Sequence, residues 1–228
     1  MQGLYLVTPN WDDTARLLDL SEQALAAGAG ALGEQRGAIA LLQYRHKEAG
    51  PALRREQATA LLALCRRYGV PFIVNDHIDL CAEIDADGVH LGGTDADVAQ
   101  ARAQLGAAKI IGASCYGDMP RALAAQQAGA SYVAFGGFYP SRVKQYAVTT
   151  KSEILDQARD AIGVPSVVIG GMTPTNAAPL VARGADMVAA ISSVYQAESV
   201  EAAVAQFAAL FVGHNNSKSL RQNHLSPL

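Results

Sequence analysis

The sequence predicts a single-domain (β/α)8 barrel, or TIM barrel, and three observations lead to this fold class. Short apolar runs rich in β-branched residues alternate with longer segments of helical periodicity, which is typical of a parallel sheet. Eight such runs occur, and a helical segment follows each. The chain has 228 residues, which suits eight compact units because such barrels range from about 200 residues to about 250 or more. A doubly wound open sheet is the alternative, and the count of eight favours closure.

The predicted strands are distributed along the whole chain. They span residues 4–8, 39–44, 71–75, 88–91, 109–114, 132–136, 166–169 and 187–191. Pro71 and Pro165 stand at strand starts, where a missing N–H costs least. Ala58, Leu61 and Leu62 begin the i, i+3, i+4, i+7 spacing of a helix with one buried stripe. The same spacing recurs over residues 200–207.

Domain boundaries are also suggested by composition. No linker or composition shift marks a second domain, so residues 1–212 are predicted to form the barrel. The polar, non-periodic segment 213–228 is predicted to be a disordered tail. The Gly- and Ala-rich stretch 28–37 is interpreted as a surface loop.

Composition and charge exclude several classes of protein. Half of the residues are hydrophobic and 17% are charged, which excludes an intrinsically disordered chain. A net charge of −3 argues against a broad nucleic-acid surface but not against binding a small phosphorylated molecule. No run reaches the ~18 apolar residues of a membrane span, and residues 1–10 lack the features of a secretory signal. We therefore expect a cytoplasmic protein without nucleic-acid or membrane partners.

The three cysteines, Cys65, Cys81 and Cys115, share no CxxC spacing. Their number and spacing suggest neither a disulfide framework nor a zinc site. We expect each of them to pack as a small apolar side chain. His90, within the fourth predicted strand, is interpreted as a hydrogen-bonded core residue rather than a catalytic base.

The second strand ends in Gln43-Tyr44-Arg45-His46-Lys47. Because side chains alternate along a strand, Gln43, Arg45 and Lys47 are predicted to share one side. Chemistry in such barrels lies at the carboxyl ends of the strands. Two cations and an amide there predict a site for an anion with several oxygens, although a solvated strand end is the alternative.

Carboxylates follow the third and fourth strands. Asn75 and Asp76 end the third strand, and Asp95 lies shortly after the fourth. Asp76 and Asp95 suit Mg²⁺, which favours one or two carboxylates together with substrate phosphate oxygens. Taken singly, these residues are better explained as helix caps. Together with Arg45 and Lys47, they favour the metal.

The remaining strand ends offer hydroxyls, cations and glycines. Ser114 ends the fifth strand, and the polar loop after the sixth carries Ser141, Arg142 and Lys144. Gly171 follows the seventh strand. The loops after strands seven and eight hold a phosphate in many barrels. A second anion site is therefore predicted there, with Gly171 leaving room and Ser192 donating a hydroxyl.

The sequence resembles the thiamine-phosphate synthase family over nearly its whole length. The most specific matching segments are Gln43-Tyr44-Arg45-His46-Lys47, Val74-Asn75-Asp76, Gly88-Val89-His90-Leu91-Gly92 with Asp95, and Ile169-Gly170-Gly171. The resemblance implies a (β/α)8 barrel that joins hydroxymethylpyrimidine diphosphate to thiazole phosphate, giving thiamine phosphate and pyrophosphate. The family chemistry is dissociative: pyrophosphate departs first, and the thiazole nitrogen captures the pyrimidine methylene cation.

The resemblance also implies the roles of individual residues and two small phosphorylated substrates. The pyrimidine diphosphate would be held by Gln43, Arg45, Lys47, Asn75, Ser114 and Lys144. Asp76 and Asp95 would hold Mg²⁺ on its pyrophosphate. The thiazole phosphate site would be lined by Ser141, Arg142, Val143, Gly171, Ile191 and Ser192.

The chain departs from the family pattern at three positions. Val143 replaces a hydroxyl residue of the usual Pro-Thr-x-Thr-Lys loop, Gly93 replaces a frequent Gln, and Tyr116 replaces a frequent His. None of these changes removes a metal ligand or a pyrophosphate cation. Two alternatives remain: a thiazole tautomerase-like barrel, and a non-catalytic sensor of thiamine precursors. The oligomeric state is left open, and a homo-oligomer is compatible with the sequence.

Overall fold

The computed structural model of the chain describes residues 1–30, 38–92, 97–140 and 150–212. Eight parallel strands form a closed barrel in chain order, with the last strand paired to the first. The strands are β1 (Gly3–Val7), β2 (Ile39–Tyr44), β3 (Phe72–Asn75), β4 (Gly88–Leu91), β5 (Ile110–Tyr116), β6 (Tyr132–Gly136), β7 (Ser166–Ile169) and β8 (Met187–Ala190). The predicted fold class is confirmed, and every predicted strand overlaps an observed one.

Helices connect the strands on the outside of the barrel. They are α1 (Thr14–Gly30), α2 (Pro51–Tyr68), α3 (Ile78–Glu83), α4 (Val98–Leu105), α5 (Met119–Gln127), α6 (Ile154–Ala161), α7 (Pro174–Ala182), α8 (Ser192–Tyr195) and α9 (Val200–Ala209). Within the described ranges, no helix is long and apolar enough to cross a membrane. The single turn of α8 begins directly at the carboxyl end of β8.

Local sequence signals explain where the helices begin and end. Pro51 opens α2, where its missing N–H costs nothing, and Gly69 closes it with a left-handed φ of 65°. Thr173 and Asn176 form a reciprocal capping box at the start of α7. The predicted apolar stripe of α2 is buried against the barrel.

The predicted surface loop over 28–37 is wrong at its start. Helix α1 continues through Gly30, and Gly28 is buried. A Cβ at Gly28 would lie 3.0 Å from Cγ1 of Ile39, so this glycine lets the helix pack closely on β2. Residues 31–37 lie outside the described residues, as does the predicted tail, 213–228.

Two apolar layers hold the barrel together. The inner layer includes Tyr5, Leu41, Ile73 and Tyr132, whose side chains fill the barrel interior. A larger outer layer lies between the strands and the surrounding helices. Because all strands are parallel, their carboxyl ends meet at one end of the barrel, directly above the inner layer.

Candidate active site

A cavity of about 600 Å³ opens at the carboxyl ends of the strands. Every predicted site residue within the described ranges lines it: Gln43, Arg45, Lys47, Asn75, Asp76, Ser114, Gly171, Ile191 and Ser192. The other predicted site residues, Asp95, Ser141, Arg142, Val143 and Lys144, lie outside the described residues. Residues far apart in the sequence therefore share one cavity, although their roles remain predictions.

The end of β2 presents side chains to two sides, as predicted. Gln43 and Arg45 are buried on the cavity side, 4% and 7% exposed. On the opposite side, the hydroxyl of Tyr44 donates to Oε1 of Gln57 over 3.0 Å. His46 Nε2 lies 2.9 Å from Oδ1 of Asp12. The alternation of the strand thus separates the cavity-facing groups from those that fix the strand to α2 and the loop after β1.

Thr8 and Asn10, which follow β1, hold Arg45 in place. The backbone N–H of Arg45 donates to Oγ1 of Thr8 over 2.8 Å, and Thr8 Oγ1 donates back to the Arg45 carbonyl over 3.3 Å. Arg45 Nη1 also donates to Oδ1 of Asn10 over 3.3 Å. A guanidinium with a fixed backbone and one tethered nitrogen is well suited to grip an anion at a defined angle.

Three donors converge on the carboxylate of Asp76. Lys47 Nζ forms an ion pair with Oδ2, Asn75 Nδ2 donates to the same oxygen over 2.5 Å, and the N–H of Gly92 donates to Oδ1 over 3.2 Å. The backbone of Asp76 is left-handed, with φ of 64°, and its N–H donates to the carbonyl of His90 over 2.8 Å. This unusual backbone conformation links the ends of β3 and β4 and places the carboxylate on the cavity wall.

Asp76 supplies a carboxylate, which is a ligand type for hard cations, on this wall. Its side chain is 12% exposed, and the amide nitrogen of Asn75 faces its Oδ2. Mg²⁺ is commonly held by one or two carboxylates, with substrate phosphates and water completing its octahedron. Among the described residues, no three His, Cys, Asp or Glu side chains cluster as a metal site, and the second predicted carboxylate, Asp95, lies outside them.

The ends of β7 and β8 form another part of the cavity wall. Gly171 has φ of 59°, and a Cβ there would overlap the carbonyl oxygen of Pro140. Its carbonyl accepts from Nδ2 of Asn176 over 2.9 Å, so the first turn of α7 holds this segment. The glycine is therefore required by the close approach of the backbone after β6. Ile191 and Ser192 follow β8 and lead into α8.

The floor of the cavity, and the inner layer beneath it, contain residues that sequence reasoning missed. Tyr5 and Tyr132 are fully buried, and their hydroxyl oxygens are 2.6 Å apart. His90 is a hydrogen-bonded buried residue, as predicted, but it also lines the cavity beside Tyr5. Side chains two positions apart on a strand share one side, so the pair Tyr5 and Val7 on β1 is the signal that could have placed Tyr5 inside the barrel.

The cysteines contribute no reactive thiol to the cavity. Cys65, Cys81 and Cys115 are free and buried. Burial raises the pKa of Cys65 and of Cys115 to about 12, and that of Cys81 to about 11. Because the thiolate is the nucleophilic form, these side chains act as packing groups, in agreement with the prediction.

Comparison with known proteins identifies the family. The sequence model of a family described as thiamine monophosphate synthase matches residues 4–194. Thiamine-phosphate synthase of Janthinobacterium sp. (strain Marseille) is 60% identical over 211 residues, covering 92% of this chain and 97% of that protein. The same enzyme of Methylobacillus flagellatus is 47% identical over 211 residues, covering 92% and 96%.

A solved structure agrees with the sequence matches. Thiamine phosphate pyrophosphorylase from Pyrococcus furiosus superimposes with a TM-score of 0.76 at 31% sequence identity. The superposition covers 92% of this chain and 95% of that one. Sequence and fold therefore agree over almost the same part of the chain. The chain belongs to the thiamine monophosphate synthase family.

Proposed function

We propose that this chain is a thiamine-phosphate synthase. It joins 4-amino-5-hydroxymethyl-2-methylpyrimidine diphosphate to 4-methyl-5-(2-phosphoethyl)thiazole and releases pyrophosphate. The observation that carries the proposal is the single cavity shared by the cationic end of β2, the carboxylate after β3 and the Gly171 and Ser192 segments. One cavity with two groups of anion-binding residues suits a reaction between two phosphorylated substrates.

The reaction transfers an alkyl group. The bond between the pyrimidine methylene carbon and the diphosphate oxygen breaks, and its electrons leave with pyrophosphate. The thiazole nitrogen then supplies the electron pair of the new C–N bond. No proton transfer is needed at either atom, so the site requires no general base.

Negative charge develops on the departing pyrophosphate, and the end of β2 is built to stabilise it. Arg45 can bind two oxygens with its planar guanidinium, while Lys47 supplies a mobile point charge. Arg45 is held by the loop after β1, whereas the Lys47 side chain is 44% exposed. The preorganised guanidinium of Arg45 would lower the barrier because it need not reorganise as the charge forms. Lys144, outside the described residues, would add a third cation.

Magnesium dependence is part of the proposal. Asp76 and Asp95 would hold Mg²⁺, and the bound ion would neutralise charge on the leaving group. In this structure Lys47 occupies one oxygen of Asp76. Asp76 thus lies next to Lys47, so the proposed metal ligand and a proposed pyrophosphate ligand are neighbours on the cavity wall.

The thiazole phosphate would bind at the ends of β7 and β8. Gly171, Ile191 and Ser192 lie there, and Ser141, Arg142 and Val143 would complete the site from the segment after β6. Backbone N–H groups and the Ser192 hydroxyl are suitable donors for phosphate oxygens. Holding both substrates in one cavity converts a bimolecular encounter into a local step, which supplies much of the acceleration.

A pyrophosphate-release assay tests the proposal against its alternatives. Purified protein is given Mg²⁺ and each substrate alone, then both together. We expect stoichiometric pyrophosphate only when both are present. Binding of both substrates without release would favour a sensor, and conversion of a thiazole phosphate tautomer without use of the pyrimidine would favour a tautomerase. Either result would overturn the proposal.

A further inference from the structure

A continuous series of hydrogen bonds runs along and beneath the floor of the cavity and joins Gln43 and Ser114, two residues predicted to bind the pyrimidine substrate. Gln43 Nε2 donates to the Tyr5 hydroxyl over 2.6 Å, and the Tyr5 and Tyr132 hydroxyls are 2.6 Å apart. His90 Nδ1 lies 2.9 Å from the Tyr132 hydroxyl, and its Nε2 lies 2.9 Å from Oγ of Ser114. This series of hydrogen bonds begins at Gln43 on β2 and ends at Ser114 on β5, so it connects two separate parts of the cavity wall.

Each phenol in the chain retains one proton. Burial raises the pKa values of Tyr5 and Tyr132 far above the ordinary value for tyrosine. A neutral phenol donates one hydrogen bond, and a neutral imidazole has one donor and one acceptor nitrogen. A hydroxyl oxygen accepts up to two hydrogen bonds but donates only one, so a series in which each group donates to the next runs in one direction and uses every proton once.

The amide of Gln43 sets that direction. The order that uses every proton once has Gln43 Nε2 donating to Tyr5, Tyr5 donating to Tyr132, and Tyr132 donating to Nδ1 of His90. His90 then carries its proton on Nε2 and donates to Ser114. The Ser114 hydroxyl can then donate to a molecule bound in the cavity, and Oε1 of Gln43 can accept a hydrogen bond from that molecule.

We propose that Tyr5, Tyr132 and His90 are positioning residues that fix an acceptor at Gln43 and a donor at Ser114, and that this arrangement selects a 4-aminopyrimidine. The inference rests on the proposed function, since it concerns the pyrimidine substrate. A 4-aminopyrimidine offers amino N–H donors and ring-nitrogen acceptors, which match the two ends. A 4-oxopyrimidine offers a carbonyl acceptor and a ring N–H donor, so it would require the amide to turn over and every proton in the chain to reverse.

The first experiment measures binding, without turnover. The dissociation constants of 4-amino-5-hydroxymethyl-2-methylpyrimidine diphosphate and of its 4-oxo analogue are determined by calorimetry in the presence of Mg²⁺. We expect the wild type to prefer the amino compound by at least about a hundredfold, since buried polar groups left with the wrong partner strongly disfavour a ligand. A preference below about tenfold would overturn the proposal.

Phenylalanine variants test whether the chain transmits this preference. Tyr5→Phe and Tyr132→Phe each remove one hydroxyl and uncouple Gln43 from Ser114, so the amino-over-oxo preference should fall about tenfold in each. The double variant should lose no more than either single one, because one break already interrupts the chain. Tyr44→Phe, on the opposite side of β2, removes a buried hydroxyl bonded to Gln57 and should leave the preference unchanged. An unchanged amino-over-oxo preference in both Tyr5→Phe and Tyr132→Phe would overturn the proposal.

The tautomer of His90 gives an independent measurement. In ¹⁵N NMR spectra of histidine-labelled protein, with the His90 signals assigned from a His90→Gln sample, we expect the proton on Nε2. A proton on Nδ1 would show the opposite direction and overturn the proposal. Binding and NMR both remain interpretable when no product forms. Failure of the proposed hydrogen-bond order is therefore distinguishable from failure of the proposed synthase activity.

Discussion

The ring of Tyr132 occupies the space beside Gly112 where any other residue would carry its Cβ. A Cβ built at Gly112 would overlap Cζ and the hydroxyl oxygen of Tyr132. The two residues lie on the paired strands β5 and β6, in direct register. The glycine therefore lets the phenol lie across β5 and reach His90 and Tyr5, which form the cavity floor.

Gly112→Ala is expected to lower the free energy of unfolding by about 1–3 kcal/mol, because overpacking forces a well-packed ring to shift. It should also weaken binding of the pyrimidine substrate. Gly163→Ala is the matched control, since a Cβ there would meet Gln126 Oε1 at an ordinary 3.6 Å. Urea unfolding followed by circular dichroism compares the variants. Equal midpoints for Gly112→Ala and the wild type would contradict the account.

Asp76→Asn is expected to reduce turnover by about a hundredfold or more and to raise the Mg²⁺ concentration needed for half-maximal rate, because it removes the charge of a metal ligand. Asp95→Asn should act in the same direction. Asp79→Asn changes an exposed carboxylate on α3 that bonds Gln104 instead, and it should have no effect. Full activity of both Asp76→Asn and Asp95→Asn at unchanged Mg²⁺ would show that the metal assignment is wrong.

Arg45→Lys is expected to raise KM for the pyrimidine diphosphate about tenfold or more while leaving KM for the thiazole phosphate near its wild-type value. Lysine keeps the charge but loses the planar fork that binds two oxygens. Arg55→Lys alters an exposed arginine paired with Glu83 on the surface and serves as the control. Steady-state kinetics with each substrate varied in turn provide the test; equal increases in both KM values would argue against a pyrimidine-side role.

The buried thiols predict a pH effect on stability. Burial raises the pKa values of Cys65, Cys81 and Cys115 to about 11 or 12, whereas unfolded thiols titrate near about 8.5. Above that pH the unfolded chain binds fewer protons than the folded one. The stability contribution is therefore complete below about pH 8.5 and declines as the pH rises towards the folded pKa values.

Thiol labelling tests whether the three cysteines are buried in the folded protein. At pH 8 the native protein should react slowly with an aromatic disulfide reagent, and the three thiols should react at once in urea. Rapid labelling of any cysteine in the native protein would contradict the burial described above. Unfolding measured at pH 7 and pH 10 should show lower stability at the higher pH.

The strand-end residues could be predicted from the sequence because their arrangement depends on local periodicity. The two-residue repeat of a strand places Gln43, Arg45 and Lys47 on one side, and parallel topology brings Asp76 to the same end of the barrel. These inferences need only the strand assignment and the fold class. They do not depend on the register between distant strands.

The cavity floor could not be predicted in this way. Tyr5 and Tyr132 are 127 positions apart, and only the closure and register of the barrel bring their hydroxyls together. The prediction that a loop starts at residue 28 was wrong for a related reason. Glycine favours a loop by local propensity, but the close packing of Gly28 on Ile39 outweighs that propensity.

We propose that one cavity joins two phosphorylated substrates, and identification of the product tests this directly. Wild-type protein is incubated with both substrates and Mg²⁺, and thiamine phosphate and pyrophosphate are quantified by mass spectrometry and a coupled assay. We expect the two products to appear in equal amounts and neither to form when one substrate is omitted. Bound substrates with no thiamine phosphate after prolonged incubation would contradict it.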